Sequence, residues 1–597
     1  MLDIPNRGVH PVASAESPAR EADPGLPEGD RARLDAAIDD LRTGAALWGK
    51  LTLPQRRTLL RRIRAAVVAV AEEWADVAST SKGLEPGHPL RGEEWLSGPY
   101  AALVALDAYT DTLGALARGA SPLDDLRVDE APGGRVRVHV LPTAPIDRLL
   151  LSGYTGEVWL QPGVTAAEAA RTAGLGQLPG ADAGGVGLVL GAGNVTAIPF
   201  LDVLYELLAF NRVALLKVNP TQDDLVPVYE RALAPLIGAG MLRIVRGAGD
   251  VGAYLTTHPG IDHVHITGSV TTFEAIVWGS GEDAAQRRET GVPRLGTPIT
   301  AELGGVSPII VVPGEWSEAD LRFQAEHVVT MRLYNSGHNC IAGQVVLLSA
   351  DWPQREAFLA ALREAYDAAP ARPVWYPGAQ ARVDDAASAH PGSQRMGDGS
   401  RVLIEAAAAD AAPVQTTEYF APVLGVVELP GLGQDFVDAA VAHANTELTG
   451  TLGANVIVDP VTQAALGDAF EQAIAELRYG TVAINAWTAL GFLTPTCSWG
   501  AYPGGTLADA PSGIGVVHNA RLLDRVERSV VRGPFRPFPR SVAPANLAAG
   551  GRPSVLPKPP WFVSARTGAA VSEGLTRFRM DGNPVRLSAT LLQAFGA

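Results

Sequence analysis

Cys340 is a candidate nucleophile. It is one of only two cysteines among 597 residues, and it closes the segment Gly337-His338-Asn339-Cys340 after an amphipathic run, Ser317 to Tyr334, that predicts a helix. A lone cysteine is more often a small buried hydrophobic residue. The alternative is a thiolate that attacks a carbonyl carbon and forms a covalent intermediate.

Two polar residues elsewhere in the chain supply the other groups that such a reaction needs. Glu302 precedes Gly304 and Gly305, and its carboxylate could activate water. Asn194 follows Gly191-Ala192-Gly193, and its amide could donate to a developing oxyanion. Taken singly, each is more often a strand-end or turn residue. Together with a cysteine they indicate acyl chemistry through a thioester.

These residues form part of an ordered series of motifs that resembles the aldehyde dehydrogenase superfamily. The resemblance covers roughly residues 31 to 519. Its motifs are Asn194, Lys217, Thr267-Gly268-Ser269, Glu302-Leu303-Gly304-Gly305, Gly337-His338-Asn339-Cys340 and Glu418-Tyr419-Phe420-Ala421-Pro422. The resemblance implies an α/β fold of the aldehyde dehydrogenase type, with a Rossmann-type cofactor domain, an α/β catalytic domain and a β-arm for oligomerisation.

The resemblance also implies an activity, the NAD(P)-dependent oxidation of an aldehyde to a carboxylic acid. Cys340 would carry a thiohemiacetal and then a thioester, Asn194 would hold the oxyanion, and Glu302 would activate water for hydrolysis. Acylating relatives often lack a carboxylate at the position of Glu302. A coenzyme A-acylating enzyme, an acyl reductase and a non-catalytic binding or assembly protein of the same fold are the alternatives.

Five residues are expected to hold the cofactor on the same grounds. Lys217 would bind the adenosine ribose, and Gly268-Ser269 would open a helix whose N-terminal amides face the pyrophosphate. Glu418 would hold the nicotinamide ribose, with Phe420 beside the ring. Ala421 replaces the family's glycine in that motif, which puts the local turn in question.

The choice between NADP and NAD depends on the residues that follow Lys217. Family members that favour NAD commonly carry a glutamate three residues further on, where this chain has Pro220. Without that carboxylate NADP is admissible, because Lys217, Asn219 and Thr221 could donate to a 2′-phosphate.

Apolar segments that alternate with helical patterns predict a parallel sheet around these motifs. Strands are expected at 186–190, 213–217, 242–245 and 264–267, and helices at 199–210, 223–237 and 251–257. Ligands bind beyond the carboxyl ends of such strands. Asn194, Lys217 and Gly268-Ser269 all fall there. A second alternation from about residue 307 to 487 predicts the catalytic domain.

The chain is accordingly divided into four parts. Residues 1–30 are polar, acidic and proline-rich and are expected to be a disordered lead-in. Residues 31–305 would form N-terminal helices and the dinucleotide-binding domain, with the β-arm or an ordinary edge hairpin at about 135–162. Residues 306–490 would form the catalytic domain. Residues 491–597 would form a return segment and an extension that wraps this chain or a neighbouring subunit.

Composition restricts the partners. The net charge is −16, with 64 acidic against 48 basic residues, and no long basic cluster favours nucleic acid. No apolar run reaches the roughly 18 residues that cross a bilayer.

Two distant cysteines indicate a reducing, cytoplasmic setting. We expect a small aldehyde substrate, a homodimer or homotetramer, and no metal, since His263 and His265 merely share one strand face. Cys497 is expected to be a packing residue or part of the aldehyde pocket.

Overall fold

The computed structural model describes residues 25–596. The expected lead-in lies mostly outside the described residues, and its last three positions already belong to the first helix. In the part of the chain that is described, no helix is both long and apolar enough to cross a membrane.

The N-terminal region is a helical layer followed by a three-stranded hairpin unit. Its helices are α1 (Glu28–Trp48), α2 (Leu53–Ser81), α3 (Gly92–Trp95) and α4 (Ala101–Ala117). Then follow β1 (Val128–Ala131), β2 (Arg135–Leu141), α5 (Pro145–Leu150), β3 (Thr155–Leu160) and α6 (Ala166–Thr172). The apolar stripe of α2 buries Leu60, Ile63 and Trp74.

The next region alternates strands and helices. Its elements are β4 (Val186–Leu190), α7 (Ile198–Phe210), β5 (Val213–Lys217), α8 (Val226–Ala232), α9 (Ala234–Gly238), β6 (Leu242–Val245), α10 (Gly249–Thr256), β7 (His263–Gly268), α11 (Val270–Trp278), α12 (Gly281–Thr290) and β8 (Ile299–Leu303). Four of these strands match the sequence prediction to within a residue or two. The single helix expected at 223–237 is wrong. A 3-10 segment, Pro220–Leu225, and two short helices replace it, because Pro227 and Pro235 are each tolerated only in a first helical turn.

The next region, from residue 307 to 484, continues the alternation. It contains β9 (Ser307–Val311), α13 (Glu318–Leu333), β10 (Gly343–Ser349), α14 (Arg355–Ala368), α15 (Ala379–Ala389), β11 (Gln394–Met396), β12 (Arg401–Ala407), α16 (Ala412–Thr416), β13 (Val423–Leu429), α17 (Gly433–Thr446), β14 (Gly453–Ile457), α18 (Pro460–Leu466), α19 (Asp468–Glu476) and β15 (Thr481–Ile484). Ser317 caps α13 by accepting from the Asp320 amide, as expected for a serine at this position.

The last region returns to both sheets. Its elements are α20 (Ala489–Leu493), β16 (Trp499–Gly500), β17 (Gly513–Ile514), β18 (Val516–Val517), β19 (Val526–Arg532), α21 (Pro544–Ala548), α22 (Gly568–Asp581) and α23 (Pro584–Ala594). The extension packs on its own chain. Arg536 binds the Asp320 carboxylate with both oxygens at 2.9 Å, and Phe562 stacks on His327 with 5.0 Å between ring centroids.

Two main sheets organise the described residues. The first has six strands in the order β17-β8-β7-β4-β5-β6, parallel except for β17. The second has eleven strands in the order β1-β2-β3-β19-β15-β14-β9-β10-β13-β12-β11. Within it β3 pairs with β19, and β19 pairs with β15. The predicted hairpin therefore joins the eleven-stranded sheet of its own chain.

Candidate active site

One cavity of about 1070 Å³ lies beyond the carboxyl ends of β4, β5, β7 and β8. Ligands of open α/β sheets bind at this edge. The cavity is lined by every site residue that the sequence predicted: Asn194, Lys217, Asn219, Gly268, Ser269, Glu302, Cys340, Glu418 and Phe420. Residues that lie far apart in the sequence thus line one cavity.

The loop that carries Cys340, residues 335–340, leaves α13 through an unusual backbone. Asn335, Ser336 and Gly337 have φ values of 53°, 56° and 74°, a region that L-residues other than Asn rarely adopt. A Cβ at Gly337 would lie 2.8 Å from the Ala421 carbonyl oxygen, so only glycine fits. These three consecutive residues with positive φ reverse the chain direction, and Cys340 then lies at the cavity wall.

Buried charges from the N-terminal helices hold this loop. The Glu93 carboxylate accepts from the Asn335 amide at 3.0 Å and pairs with Arg372. The Lys82 ammonium, at the end of α2, binds both Glu94 oxygens at 2.9 Å. These four charged side chains are almost completely buried. Because each is paired, the cluster is a fixed support rather than a set of isolated charges.

Asn194 connects that support to the Cys340 loop. Its side-chain Nδ2 donates to the His338 carbonyl at 2.9 Å, and its own carbonyl accepts from Lys82 Nζ at 2.9 Å and Asn335 Nδ2 at 3.1 Å. A primary amide has two N–H donors. One N–H is used to fix the loop, which leaves the second for a ligand beside Cys340.

Glu302 lies between Cys340 and Trp499. The Trp499 indole donates to Glu302 Oε1 at 3.0 Å, and the Cys340 thiol hydrogen-bonds to the same carboxylate. Burial raises the pKa of Glu302 to about 7, although both hydrogen bonds lower it. Burial, followed by the charge and hydrogen bond of Glu302, raises the pKa of the Cys340 thiol well above its usual value. The thiol is therefore protonated, with a base in contact.

The Glu418–Phe420 segment faces Glu302 from the other side of the cavity. Glu418 lies over Gly304, where a Cβ would be 2.0 Å from its Oε1. Burial raises the pKa of Glu418 to about 8. Phe420 has a φ of 47°, and its carbonyl accepts from the His338 imidazole at 2.7 Å. Burial lowers the pKa of His338 to about 3, so this ring is neutral.

Arg332, on the buried face of α13, stabilises the turn that contains Ala421. Its guanidinium donates to the carbonyls of Ala421 and Gly337. It thereby joins the Cys340 loop to the Glu418–Phe420 segment. The turn forms with alanine in the place of the family's glycine, because the positive φ falls on Phe420 rather than on Ala421.

The strand ends of the first sheet form the far part of the cavity. Burial lowers the pKa of Lys217, while Asp223 and Asp250 raise it. Asn219 caps the 3-10 segment. Thr221 donates its hydroxyl to the Gly193 carbonyl at 2.7 Å, and so it serves the turn rather than the cavity wall. Two carboxylates near Lys217 thus add negative charge that the sequence motif did not reveal.

Ser269 caps α11 by accepting from the Thr272 amide at 3.2 Å. Residues 269–272, at the start of this nine-residue helix, line the cavity, and a helix N-terminus favours an anion. His263 and His265 lie on β7 and meet carboxylates of α7. His263 is 3.2 Å from Glu206 Oε1 and His265 is 3.6 Å from Asp202 Oδ2.

Sequence reasoning missed Trp499, Lys82, Glu94 and Arg332. None belongs to a recognised motif, and each reaches the site only through long-range packing. Lys82 reaches the site because it directly follows the C-terminal end of the long helix α2. Cys497, by contrast, is buried beside Ser529, with its sulfur 3.3 Å from where a Cβ of Gly156 would lie. It is a packing residue.

Comparisons with known proteins agree with this geometry. The model of the aldehyde dehydrogenase family matches residues 223–375. Betaine aldehyde dehydrogenase 2 of Rhizobium meliloti (strain 1021) is 39% identical over 123 residues, which are 21% of this chain and 22% of that relative. This match therefore spans about a fifth of the curated relative.

Solved structures extend the likeness in fold to most of the chain. A putative aldehyde dehydrogenase from Burkholderia cenocepacia matches with a TM-score of 0.55 and 22% identity, over 83% of this chain and 91% of that chain. A variant of aldehyde dehydrogenase C from Pseudomonas syringae, solved with NAD+ and octanal, matches with a TM-score of 0.56 and 18% identity, over 85% and 90%. The chain is therefore similar to the aldehyde dehydrogenase family in sequence over residues 223–375 and to aldehyde dehydrogenases in fold over most of its length.

Proposed function

We propose that the chain oxidises an aldehyde to a carboxylic acid, with NAD or NADP as the hydride acceptor, through a thioester on Cys340. One observation carries the proposal. The Cys340 thiol contacts the Glu302 carboxylate in a cavity that the Asn194 amide also lines. A nucleophile, a base and an oxyanion donor therefore face one reacting centre.

The first step forms the carbon–sulfur bond. The Cys340 thiol is protonated, and Glu302 is the base within reach of that proton. As the sulfur attacks the aldehyde carbon, the thiol proton passes to Glu302 and the carbonyl oxygen becomes an oxyanion. The free N–H of Asn194 and the backbone amide of Cys340 are the donors for this oxyanion. The product of the step is a thiohemiacetal on Cys340.

The cavity fits a dinucleotide cofactor. Glycines at Gly268, Gly304 and Gly305 leave its wall open, and α11 presents its N-terminus. Lys217 and Asn219 would hold the adenosine ribose and Ser269 the pyrophosphate, while Glu418 and Phe420 would hold the nicotinamide end. A cofactor held there would supply the acceptor for the hydride of the thiohemiacetal carbon, and Cys340 would then carry a thioester.

Hydrolysis of the thioester completes the reaction. Glu302 first releases the thiol proton to solvent and, ionised again, takes a proton from water. The water oxygen then attacks the acyl carbon, the carbon–sulfur bond breaks, and Cys340 recovers a proton. Because Glu302 lies against Cys340, this route to a carboxylic acid is favoured over transfer to coenzyme A. The same intact set of three groups argues against a purely structural role.

The setting of the enzyme follows the sequence argument. We place it in the cytoplasm as a homodimer or homotetramer that acts on a small aldehyde. Residues 31–305 serve cofactor binding and residues 306–490 carry the nucleophile. Strands of the predicted arm and of the return segment complete the catalytic sheet.

A panel of aldehydes assayed with NAD and with NADP tests the proposal. Cys340→Ala is expected to abolish reduction of the cofactor while leaving cofactor binding nearly intact. Cys497→Ala is the matched control, because it removes the other cysteine from a buried position outside the cavity. Turnover by Cys340→Ala within about tenfold of the parent would refute the assignment of the nucleophile.

A further inference from the structure

Among the described residues, the Glu302 carboxylate accepts side-chain hydrogen bonds from Cys340 and from Trp499. Its indole Nε1 lies 3.0 Å from Glu302 Oε1, and the side chain is buried. The ring is held on two sides. Trp499 pairs with Val517 across the short ribbon of β16 and β18, and Phe492 packs edge-on with 5.5 Å between centroids.

The bond to Trp499 differs from the bond to Cys340 in one respect that matters for the reaction. The thiol proton is present only in the resting enzyme. Once Cys340 carries an acyl group, the thiol can no longer donate to Glu302. The indole N–H cannot titrate in this pH range and remains a donor throughout. Trp499 is then the remaining fixed partner of the carboxylate.

We propose that Trp499 is a positioning residue that keeps the Glu302 carboxylate directed at the acyl carbon on Cys340 during thioester hydrolysis. This inference rests on the proposed function. The indole would act on hydrolysis rather than on the first chemical steps, because its bond becomes essential only after the thiol proton has been lost.

The same bond influences the protonation of Glu302. Burial raises the pKa of this carboxyl, and the hydrogen bond from Trp499 lowers it. The other groups that face Glu302 are Cys340, Asp202 of α7, His265 of β7 and Glu418. Removal of the indole leaves all of these in place. The pKa of Glu302 must then rise, and the acidic limb of the hydrolysis rate must move to higher pH.

Trp499→Phe tests the proposal, because it keeps an aromatic ring against Phe492 and deletes only the N–H donor and part of the ring. The first turnover of cofactor reduction is measured by stopped flow, followed by the steady-state rate between pH 5 and 9. At pH 9, where Glu302 is ionised in both proteins and the thiol still hydrogen-bonds to it, we expect a first turnover close to that of the parent. At the same pH, hydrolysis should be about 10- to 100-fold slower. The acidic limb of the hydrolysis rate should move to higher pH.

Trp352→Phe is the matched control. Trp352 is also a buried indole, and it donates to the Gly314 carbonyl at 2.8 Å, remote from Glu302. Trp352→Phe should leave the first turnover, the hydrolysis rate and the acidic limb of its pH profile unchanged. The proposal is overturned if Trp499→Phe keeps a hydrolysis rate within twofold of the parent and an unmoved limb, or if Trp352→Phe reproduces its effect. Failure of the parent to reduce cofactor with any aldehyde would instead refute the proposed function.

Discussion

The pH dependence of thioester hydrolysis offers a quantitative prediction. Glu302 can accept a proton from water only when it is ionised, and burial raises its pKa to about 7. The ionised fraction is then about one half at pH 7, about one tenth at pH 6 and about one hundredth at pH 5. Hydrolysis should therefore slow about tenfold for each pH unit below 6.

The assay separates the two chemical phases. Enzyme is mixed with aldehyde and cofactor, and the fast first turnover is followed by the slower hydrolysis-limited rate. Glu418, whose pKa is raised to about 8, is the other carboxyl that could produce a limb in this range. Glu418→Gln distinguishes the two, since a limb that belongs to Glu302 persists in this variant.

Two results would refute this reasoning. A hydrolysis rate that stays constant from pH 8 to pH 5 would mean that Glu302 is not the base. A limb near pH 4.5, where an ordinary glutamate titrates, would mean that its carboxyl is solvated during hydrolysis rather than buried.

Two further predictions concern the cofactor and the support of the Cys340 loop. Pro220→Glu should lower kcat/KM for NADP more than for NAD, because it adds a carboxylate to the negative charge of Asp223 and Asp250 near Lys217. Pro220→Gln controls for side-chain size. If Pro220→Glu leaves the ratio of kcat/KM for the two cofactors unchanged, the assignment of Lys217 to the ribose is contradicted. Lys82→Met should lower the free energy of unfolding by about 3 to 5 kcal/mol, since it leaves the Glu94 carboxylate buried with a weaker partner. Urea denaturation measures that loss, and a double variant with Glu94→Met should recover part of it; a single variant as stable as the parent would contradict the role of the buried pair.

The sequence allowed good prediction of the elements whose evidence is local. Continuous apolar segments revealed β4 to β7, and Ser317 with the helical spacing after it revealed α13. The nine predicted site residues line one cavity because most of them follow strands of one parallel sheet or the helix of the nucleophile, and these ends meet by topology. Here a local pattern was sufficient to predict a tertiary result.

The remaining features depend on contacts between distant segments. Pairing of β3 with β19 joins residues more than 360 positions apart, and nothing in either strand specifies its partner. The bond from Trp499 to Glu302 and that from Lys82 to Asn194 are of the same kind. Burial of a lysine is also unexpected from its type. Only packing shows that Glu94 compensates its charge.

The central claim is that Cys340 carries the acyl group, and trapping that group tests it most directly. The parent protein is mixed with a good aldehyde substrate and cofactor, quenched in acid within the first turnover, and examined by intact mass and peptide mapping. The mechanism predicts one acyl group per chain, on the peptide that contains Cys340 and absent when cofactor is omitted. An enzyme that reduces cofactor but shows no adduct on that peptide, or shows it on Cys497, would contradict the mechanism.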